Sequence, residues 1–323
     1  MLLAVIALLA SPVRIIDAST VEVDLDRVRI QVGLGQGHVG GTEALASMAK
    51  RENALAAING SFFEAYEKRD RKNPGQSLIS KGRLIHKGET GSMIGFTSAN
   101  QVQIGQPRWR LSGSRDGSSK WPQSWFAYWV NRYPTSRTVT IFTPEWGSQT
   151  GMTSGTGVVV QDNVVTNIGP GSQPIPRDGF VIYFQDAEPK MLDTFRVGQS
   201  CAYGAEQTSG DSIFWDHVME GVGAGPQLVR DGKACPNPAA EGFQDPKILT
   251  GGGSRSAIGF RGRTLYLVAS SGTMTQLAQK MVSLGCEAAM NLDGGDSSNL
   301  WAQGKSLRAG QRAISNALLI LPK

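Results

Sequence analysis

The apolar positions of this chain change period as it runs. Val21-Glu22-Val23-Asp24-Leu25-Asp26 alternates apolar and acidic residues, the pattern of a strand with one wet face, and Arg27 to Val32 continues it. Thr42 to Lys50 shifts to helical spacing, with Thr42 as the expected N-cap and Ala44, Leu45 and Met48 on one face. Ala54 to Ile58 returns to strand and ends at Asn59-Gly60-Ser61-Phe62-Phe63. Hairpin signals then dominate. Lys81-Gly82, Ser98-Ala99-Asn100, Asp162-Asn163, Asp231-Gly232 and Arg261-Gly262 punctuate short apolar runs, and turns of this chemistry join antiparallel strands. Thr275 to Leu284 is the clearest later helix, with a stripe of Leu277, Ala278, Met281, Val282 and Leu284 and a terminating Gly285. It feeds the run Ala288-Ala289-Met290-Asn291, predicted as a buried strand. The pattern predicts an α+β protein: a mixed, largely antiparallel sheet, few helices, and one compact domain over residues 17–323.

One internal echo adds to this picture. Leu45 through Asn59 aligns without a gap onto Leu277 through Asn291, helix followed by strand in both. Ser92-Met93-Ile94-Gly95-Phe96 likewise echoes Ser256-Ala257-Ile258-Gly259-Phe260. The pieces occur in a different order in the two halves, so this is no tandem repeat. Each helix-strand unit delivers an asparagine at a strand end. Packed side by side, Asn59 and Asn291 would face one site.

Composition narrows the function classes. The length of 323 residues allows two domains, yet no Pro-rich spacer, charge block or low-complexity tract divides the chain. The net charge of +5 suits an anionic ligand, but the basic residues are scattered rather than striped, which argues against nucleic acid. Cys201, Cys235 and Cys286 lack metal-ligand spacing, and Cys286 reads as a small buried hydrophobe. A Cys201–Cys235 disulfide stays open, conditional on export. His38, His86 and His217 match no ligand motif and read as structural or surface residues. Met1 to Ala10 is almost wholly apolar and too short to span a membrane. Within residues 1–16 an export signal is preferred over a first buried strand, although a basic start and a clean cleavage site are missing.

Several motifs mislead. Gly35-Gln36-Gly37-His38-Val39-Gly40 matches a dinucleotide fingerprint between a strand and a helix, but the next strand ends at Asn59 where a ribose-binding acid is required. Gly304-Lys305-Ser306 resembles the end of a phosphate loop, but Asn299 stands where its first glycine belongs. Trp121, Trp125 and Trp129 recur at helical spacing and, with Phe126 and Tyr128, form the main aromatic cluster. Packing is the preferred reading, with a sugar-stacking platform as the alternative.

The segment Asn291-Leu292-Asp293-Gly294-Gly295-Asp296-Ser297-Ser298 carries the densest candidate chemistry. An apolar run ends in two carboxylates, two hydroxyls and an amide around paired glycines. A strand end gives such a loop a rigid base, and the glycines let a ligand approach the main chain. Asp-Gly is also a common hairpin turn, so this loop alone does not decide.

Seven segments in order decide more. They are Ala57 to Phe63, residues 131–137, Phe142-Thr143-Pro144-Glu145-Trp146-Gly147, Gly225-Pro226 through Lys233, Arg255 to Gly259, Asn291 to Ser298, and Arg312 to Ala317. Together they resemble the phosphodiester glycosidase family, which includes the lysosomal uncovering enzyme and many bacterial proteins, and they span roughly residues 20 to 320. Two departures stand out: Asp296 occupies a position where the family's commonest spelling has a third glycine, and Ser61 replaces another glycine.

The resemblance implies hydrolysis of a sugar joined through its anomeric carbon to a phosphodiester, releasing free sugar and a phosphomonoester. Glycosidases usually supply two carboxylates. Asp293 is the first candidate for nucleophile, base or electrostatic stabiliser. Phosphate is a good leaving group, so charge neutralisation matters more than a strong acid. Arg255 suits that role, with Asn59 as a third catalytic candidate. Asn291, Asn316, Gly294, Gly295, Ser297 and Ser298 are candidates for binding sugar or phosphate, and Asp296 or Glu64 for the second carboxylate. Neither cofactor nor metal is implied; a cation held by Asp293, Asp296 and Ser297 is the weaker alternative. The expected partner is a sugar phosphodiester or glycan, in an exported, exopolysaccharide-associated protein without a stable membrane span; the oligomeric state is not legible. Two competitors remain: a non-catalytic glycan-binding or envelope-assembly protein, and a phosphodiesterase cleaving the P–O bond.

Overall fold

A computed structural model describes residues 11–134 and 137–323, so the apolar Met1–Ala10 segment and part of the 131–137 motif lie outside the described residues. The protein is mainly β, with mostly antiparallel sheets and few helices. Two sheets position the candidate site. The first has seven strands in the order Val13–Asp17, Thr20–Asp24, Thr264–Gly272, Gly253–Arg261, Ala288–Asn291, Gln227–Arg230, Lys233–Ala234. The second has five, in the order Lys305–Arg308, Leu300–Ala302, Ala56–Asn59, Asn316–Pro322, Val28–Leu34. Part of the 1–16 segment therefore enters the first sheet, through the strand that starts at Val13.

The alternation along each strand explains the layering. Ile58 and Leu318 from one sheet, and Ile258 and Met290 from the other, enter one large shared core. The adjacent residues point the opposite way. Ala57, Ala317 and Leu319 pack under the helix Leu45–Arg51. Ala257 and Ala289 pack under the helix Met274–Ser283. Each helix-strand unit of the sequence echo thus caps the outer face of its own sheet. A third sheet, which includes Leu78–Ser80 and Met93–Thr97, adds Leu78, Ile94 and Phe96 to the same core. A separate apolar cluster serves the remaining five-stranded and three-stranded sheets.

Local chemistry fixes the turns. Lys81-Gly82, Asp162-Asn163 and Asp231-Gly232 all place both central residues at positive φ, which matches the twist of the strands they join. The Met274–Ser283 helix starts with a capping box between Thr273 and Gln276 and is followed by Gly285 at φ 76°. The earlier helix begins at Leu45, not Thr42: its N-cap is Ala44, which makes no side-chain cap, because Glu43 is drawn into a β-bridge with Ile314. The tryptophan spacing is not helical either. Trp125 and Trp129 sit in the strands Trp125–Ala127 and Trp129–Val130 of two different sheets, and Trp121 is exposed. Trp129–Val130 against Thr138–Phe142 is the parallel pairing among the described strands. Gly35–Gly37 forms a short 3-10 turn after a strand paired antiparallel, outside any dinucleotide-binding unit. All three cysteines are free, two buried and Cys235 exposed.

Two family segments build the frame rather than the site. The Asn131 amide donates to Ile85 O at 2.9 Å and to Thr143 Oγ1 at 2.6 Å, and accepts from Thr143 N at 2.8 Å. His86 lies fully buried in this node, with Nδ1 at 3.0 Å from the Asn131 carbonyl. Burial pushes its imidazole down to about 4. An unfolded histidine takes a proton near pH 6.5, so stability is lost as pH falls from there toward 4, by about 3 kcal/mol in total. His86→Asn keeps a donor for the Asn131 carbonyl and removes this titration. Urea melts across that window should show an acid slope in the wild type that is reduced in the variant; equal slopes would contradict the assignment.

Candidate active site

Two strand ends meet at the site. The backbone N–H of Asp293 donates to Gly60 O at 2.9 Å, joining the turn after Ala288–Asn291 to the turn after Ala56–Asn59. Asn59 fastens this junction. Its amide donates to Asp293 O at 2.7 Å, and its Oδ1 accepts from Ser256 Oγ at 2.7 Å and Asn299 N at 2.9 Å. Asn316 does the same on the other side, accepting from Ser61 N at 2.9 Å and donating to Ser61 Oγ at 2.7 Å. A β-carbon at Gly60 would lie 2.1 Å from Asn316 Oδ1, which explains the bare backbone there. Asn291 donates to Gly225 O at 2.8 Å, tying the Gly225-Pro226 segment beneath the loop. All three asparagines are about 1% exposed and sit behind the site rather than in it.

In front of this junction lies a cavity of about 350 Å³. Phe62, Phe63 and Tyr66 form one wall; Asp245, Lys247 and Ile248 form another; Arg255 and Asp293 to Asp296 form the floor, with Arg312 at the side. A hollow of about 390 Å³ on the three-stranded sheet is lined by serines, Trp125 and Tyr203, without a carboxylate or cation, so the chemistry points to the former.

Asp293 is half-buried in the cavity floor, and Oδ1 accepts from Gly294 N at 2.8 Å. Desolvation raises its carboxyl to about 6, while the Gly294 N–H and the charge of Arg312 pull the other way. A carboxyl in that range exchanges protons near neutral pH, as acid-base work requires. Arg255 is buried, and burial lowers its guanidinium from the ordinary arginine value. One nitrogen, Nη2, is held by the carbonyls of Lys247 and Gly251, while Nε is buried without a partner. Gly294 packs directly on this group: a β-carbon there would lie 3.2 Å from Arg255 Nη1. Gly295 adopts φ 60°, the left-handed conformation that glycine tolerates best. Arg255, Asp293, Gly294, Gly295 and Asp296 thus share one cavity.

The other candidates stand elsewhere. Ser297 and Ser298 are buried beneath the loop, and their hydroxyls lack hydrogen-bond partners, as does Asn291 Oδ1. Glu64 accepts from Asn73 Nδ2 at 2.9 Å and lies 3.8 Å from Arg132, outside the cavity lining. Asp296 is engaged by Arg312 at 2.8 Å. Among the described residues no group of three or more His, Cys, Asp or Glu is placed to hold a metal ion. Lys247, Asp245 and Tyr66 also belong to the lining: Tyr66 sits in an irregular loop, while Asp245 is the N-cap of the four-residue helix Pro246–Leu249 that carries Lys247, too short to show a helical period. Arg312 opened one of the seven family segments.

The profile of the phosphodiester glycosidase family matches residues 143–321, more than half of the chain. The chain belongs to the phosphodiester glycosidase family. The matched region contains Arg255, the Asp293 loop and Arg312, while the aromatic wall from Phe62 to Tyr66 lies before it. No curated protein sequence matches the chain. Among solved structures, a hypothetical protein from Synechocystis aligns at TM-score 0.80 and 24% identity, over 96% of this chain and 61% of that one. The chain therefore spans about three-fifths of that relative's length. A Burkholderia pseudomallei protein named as exported aligns at TM-score 0.73 and 20% identity, over 94% of this chain and 73% of that one. The catalytic domain of zebrafish N-acetylglucosamine-1-phosphodiester alpha-N-acetylglucosaminidase, auto-inhibited by its pro-peptide, gives 0.49 and 14%, over 94% and 76%. At these identities the first two likenesses speak for the fold of this family member. No helix among the described residues is long and apolar enough to cross a membrane.

Proposed function

We propose that this protein hydrolyses the anomeric C–O bond of a sugar-1-phosphodiester, releasing free sugar and a phosphomonoester. The observation that carries the reading is Asp293, a carboxyl raised to about 6, placed beside the buried and incompletely paired Arg255 in a cavity with an aromatic wall. Arg255 brings a guanidinium to the cavity lining, a group that pairs with phosphate oxygens through charge-assisted hydrogen bonds. Phe62 and Tyr66 offer apolar faces to a sugar ring. Asp293 then acts at the anomeric carbon as nucleophile, base or stabiliser of the oxocarbenium-like state. Asn59 and Asn316 act from behind, by fixing the backbone of the two turns. Asp296 is bound to Arg312, Asp245 caps the helix at Lys247 N and Glu64 lies outside the lining, which supports Asp293 as the working carboxylate. The competing reading, a glycan-binding or envelope-assembly protein, uses the same cavity without turnover. Export and an exopolysaccharide context belong to this proposal, supported by family membership and by the naming of the Burkholderia relative.

The test is product analysis with UDP-GlcNAc and a GlcNAc-1-phospho-sugar. Free GlcNAc with a phosphomonoester supports the proposal. Binding without release from either, or from a wider panel of glycan phosphodiesters, favours the competing reading.

A further inference from the structure

A three-residue clasp crosses the mouth of the cavity. Arg312 Nη2 donates to Asp296 Oδ2 at 2.8 Å, and no second carboxylate pairs with Arg312 among the described residues. The same nitrogen donates to the Tyr66 hydroxyl at 3.0 Å, and the guanidinium lies 5.1 Å from the Tyr66 ring centroid. These residues come from three separate loops. The Asp296 carbonyl secures the third, accepting from Gln311 N at 2.8 Å and Arg312 N at 3.3 Å. Tyr66 is 86% exposed and Asp296 is also exposed, so the clasp stands at the solvent side of the cavity.

Charge balance gives the clasp its meaning. The cavity is lined by three cations, Lys247, Arg255 and Arg312, and three carboxylates, Asp245, Asp293 and Asp296. With all six ionised the lining is neutral, a poor host for a phosphodiester anion. One carboxylate must withdraw or take a proton before an anion is favoured. Asp245 caps the turn at Lys247 N, at 2.8 Å, and Asp293 is fixed in the floor. Asp296 is exposed, and an exposed ion pair costs little to open because water replaces the lost partner.

We propose that Asp296 is a resident anion that occupies Arg312 until a substrate phosphate displaces it, so that Arg312 and Asp296 together set the site's affinity for phosphate. This rests on the phosphodiester reading of the cavity. Incoming phosphate takes Arg312 in a charge-assisted pair, Asp296 turns to solvent, and the Tyr66 ring keeps the guanidinium over the mouth. Asp296 is then a specificity residue: it raises the threshold for weakly charged ligands and admits those anionic enough to compete.

The experiment titrates inorganic phosphate into the protein by calorimetry at neutral pH. Asp296→Asn should tighten binding about tenfold, since the amide no longer competes for the cation. The double variant Asp296→Asn with Arg312→Gln should lose that gain. Tyr66→Phe, which loosens the same cation from the other side, should also tighten binding, and it carries the test should Asp296→Asn fail to fold. Unchanged or weaker binding in Asp296→Asn, or a gain that persists in the double variant, overturns the proposal. Phosphate binding is read without turnover. A phosphate response of this pattern with no sugar release would reject the glycosidase reading alone, and sugar release with no such response would reject the clasp alone.

Discussion

Asp293→Asn loses turnover and gains stability. On the proposed reaction, removing the carboxylate at the anomeric carbon costs about 10²- to 10⁴-fold in kcat, the scale of a positioned acid-base group. The stability effect has the opposite sign. The Asp293 carboxyl is raised to about 6 in the folded protein, against about 4 in an unfolded chain. Between these values the folded state keeps a proton that the unfolded chain has released. Stability therefore falls as pH rises through that window, and above about pH 6 the ionised group costs about 2 kcal/mol. The amide carries no charge and still offers an oxygen to Gly294 N. The variant should be more stable than wild type by about 2 kcal/mol at pH 7 and show no advantage near pH 4. Paired denaturation curves and steady-state kinetics measure both sides. A variant that is inactive and less stable at pH 7 would show that Asp293 is a structural carboxylate.

Asn59→Ala is expected to be the most damaging single substitution at the site, through the fold rather than through chemistry. Its side chain makes three hydrogen bonds, a part-buried one to Asp293 O and buried ones from Ser256 Oγ and Asn299 N. Truncation leaves the buried Ser256 Oγ and Asn299 N without this partner, at about 1 to 3 kcal/mol each before relaxation, and loosens the part-buried Asp293 carbonyl. A net loss of about 3 to 4 kcal/mol is expected, together with a looser Asp293 loop and falling activity. The midpoint of urea unfolding reads the loss directly. A change below about 1 kcal/mol, with activity abolished, would instead place Asn59 in contact with substrate.

The hairpin pattern was legible because its turns depend on residues that tolerate positive φ, such as Asp162-Asn163 and Asp231-Gly232. Gln303-Gly304 makes the same kind of turn but passed unread, since the strand before it has three residues, too few to show alternation. The start of the first helix was misplaced because the backbone of Glu43 answers to Ile314, a partner no local pattern reveals. The tryptophan spacing misled for a related reason: four-residue intervals also arise between the strands of separate sheets. Asp293 and Arg255 announced themselves through loop chemistry and family segments. The roles of the asparagines did not. A strand-end asparagine that binds sugar and one that binds backbone look identical until the neighbouring strand is in place, and here Asn59 and Asn316 face protein. The alignment of Asn59 with Asn291 did carry real geometry, since the two strand ends are joined by the Asp293 N–H to Gly60 O bond. Tyr66 reaches the cavity from an irregular loop and Lys247 from the four-residue helix Pro246–Leu249, too short for a period to mark either residue.

The central claim is that the bond broken lies on the sugar side of the phosphodiester. Hydrolysis of a GlcNAc-1-phosphodiester in oxygen-18 water, followed by mass analysis of both products, tests it most directly. Label in the released GlcNAc, with unlabelled phosphomonoester, is the predicted result; label in the phosphate would contradict it and make the protein a phosphodiesterase on this fold.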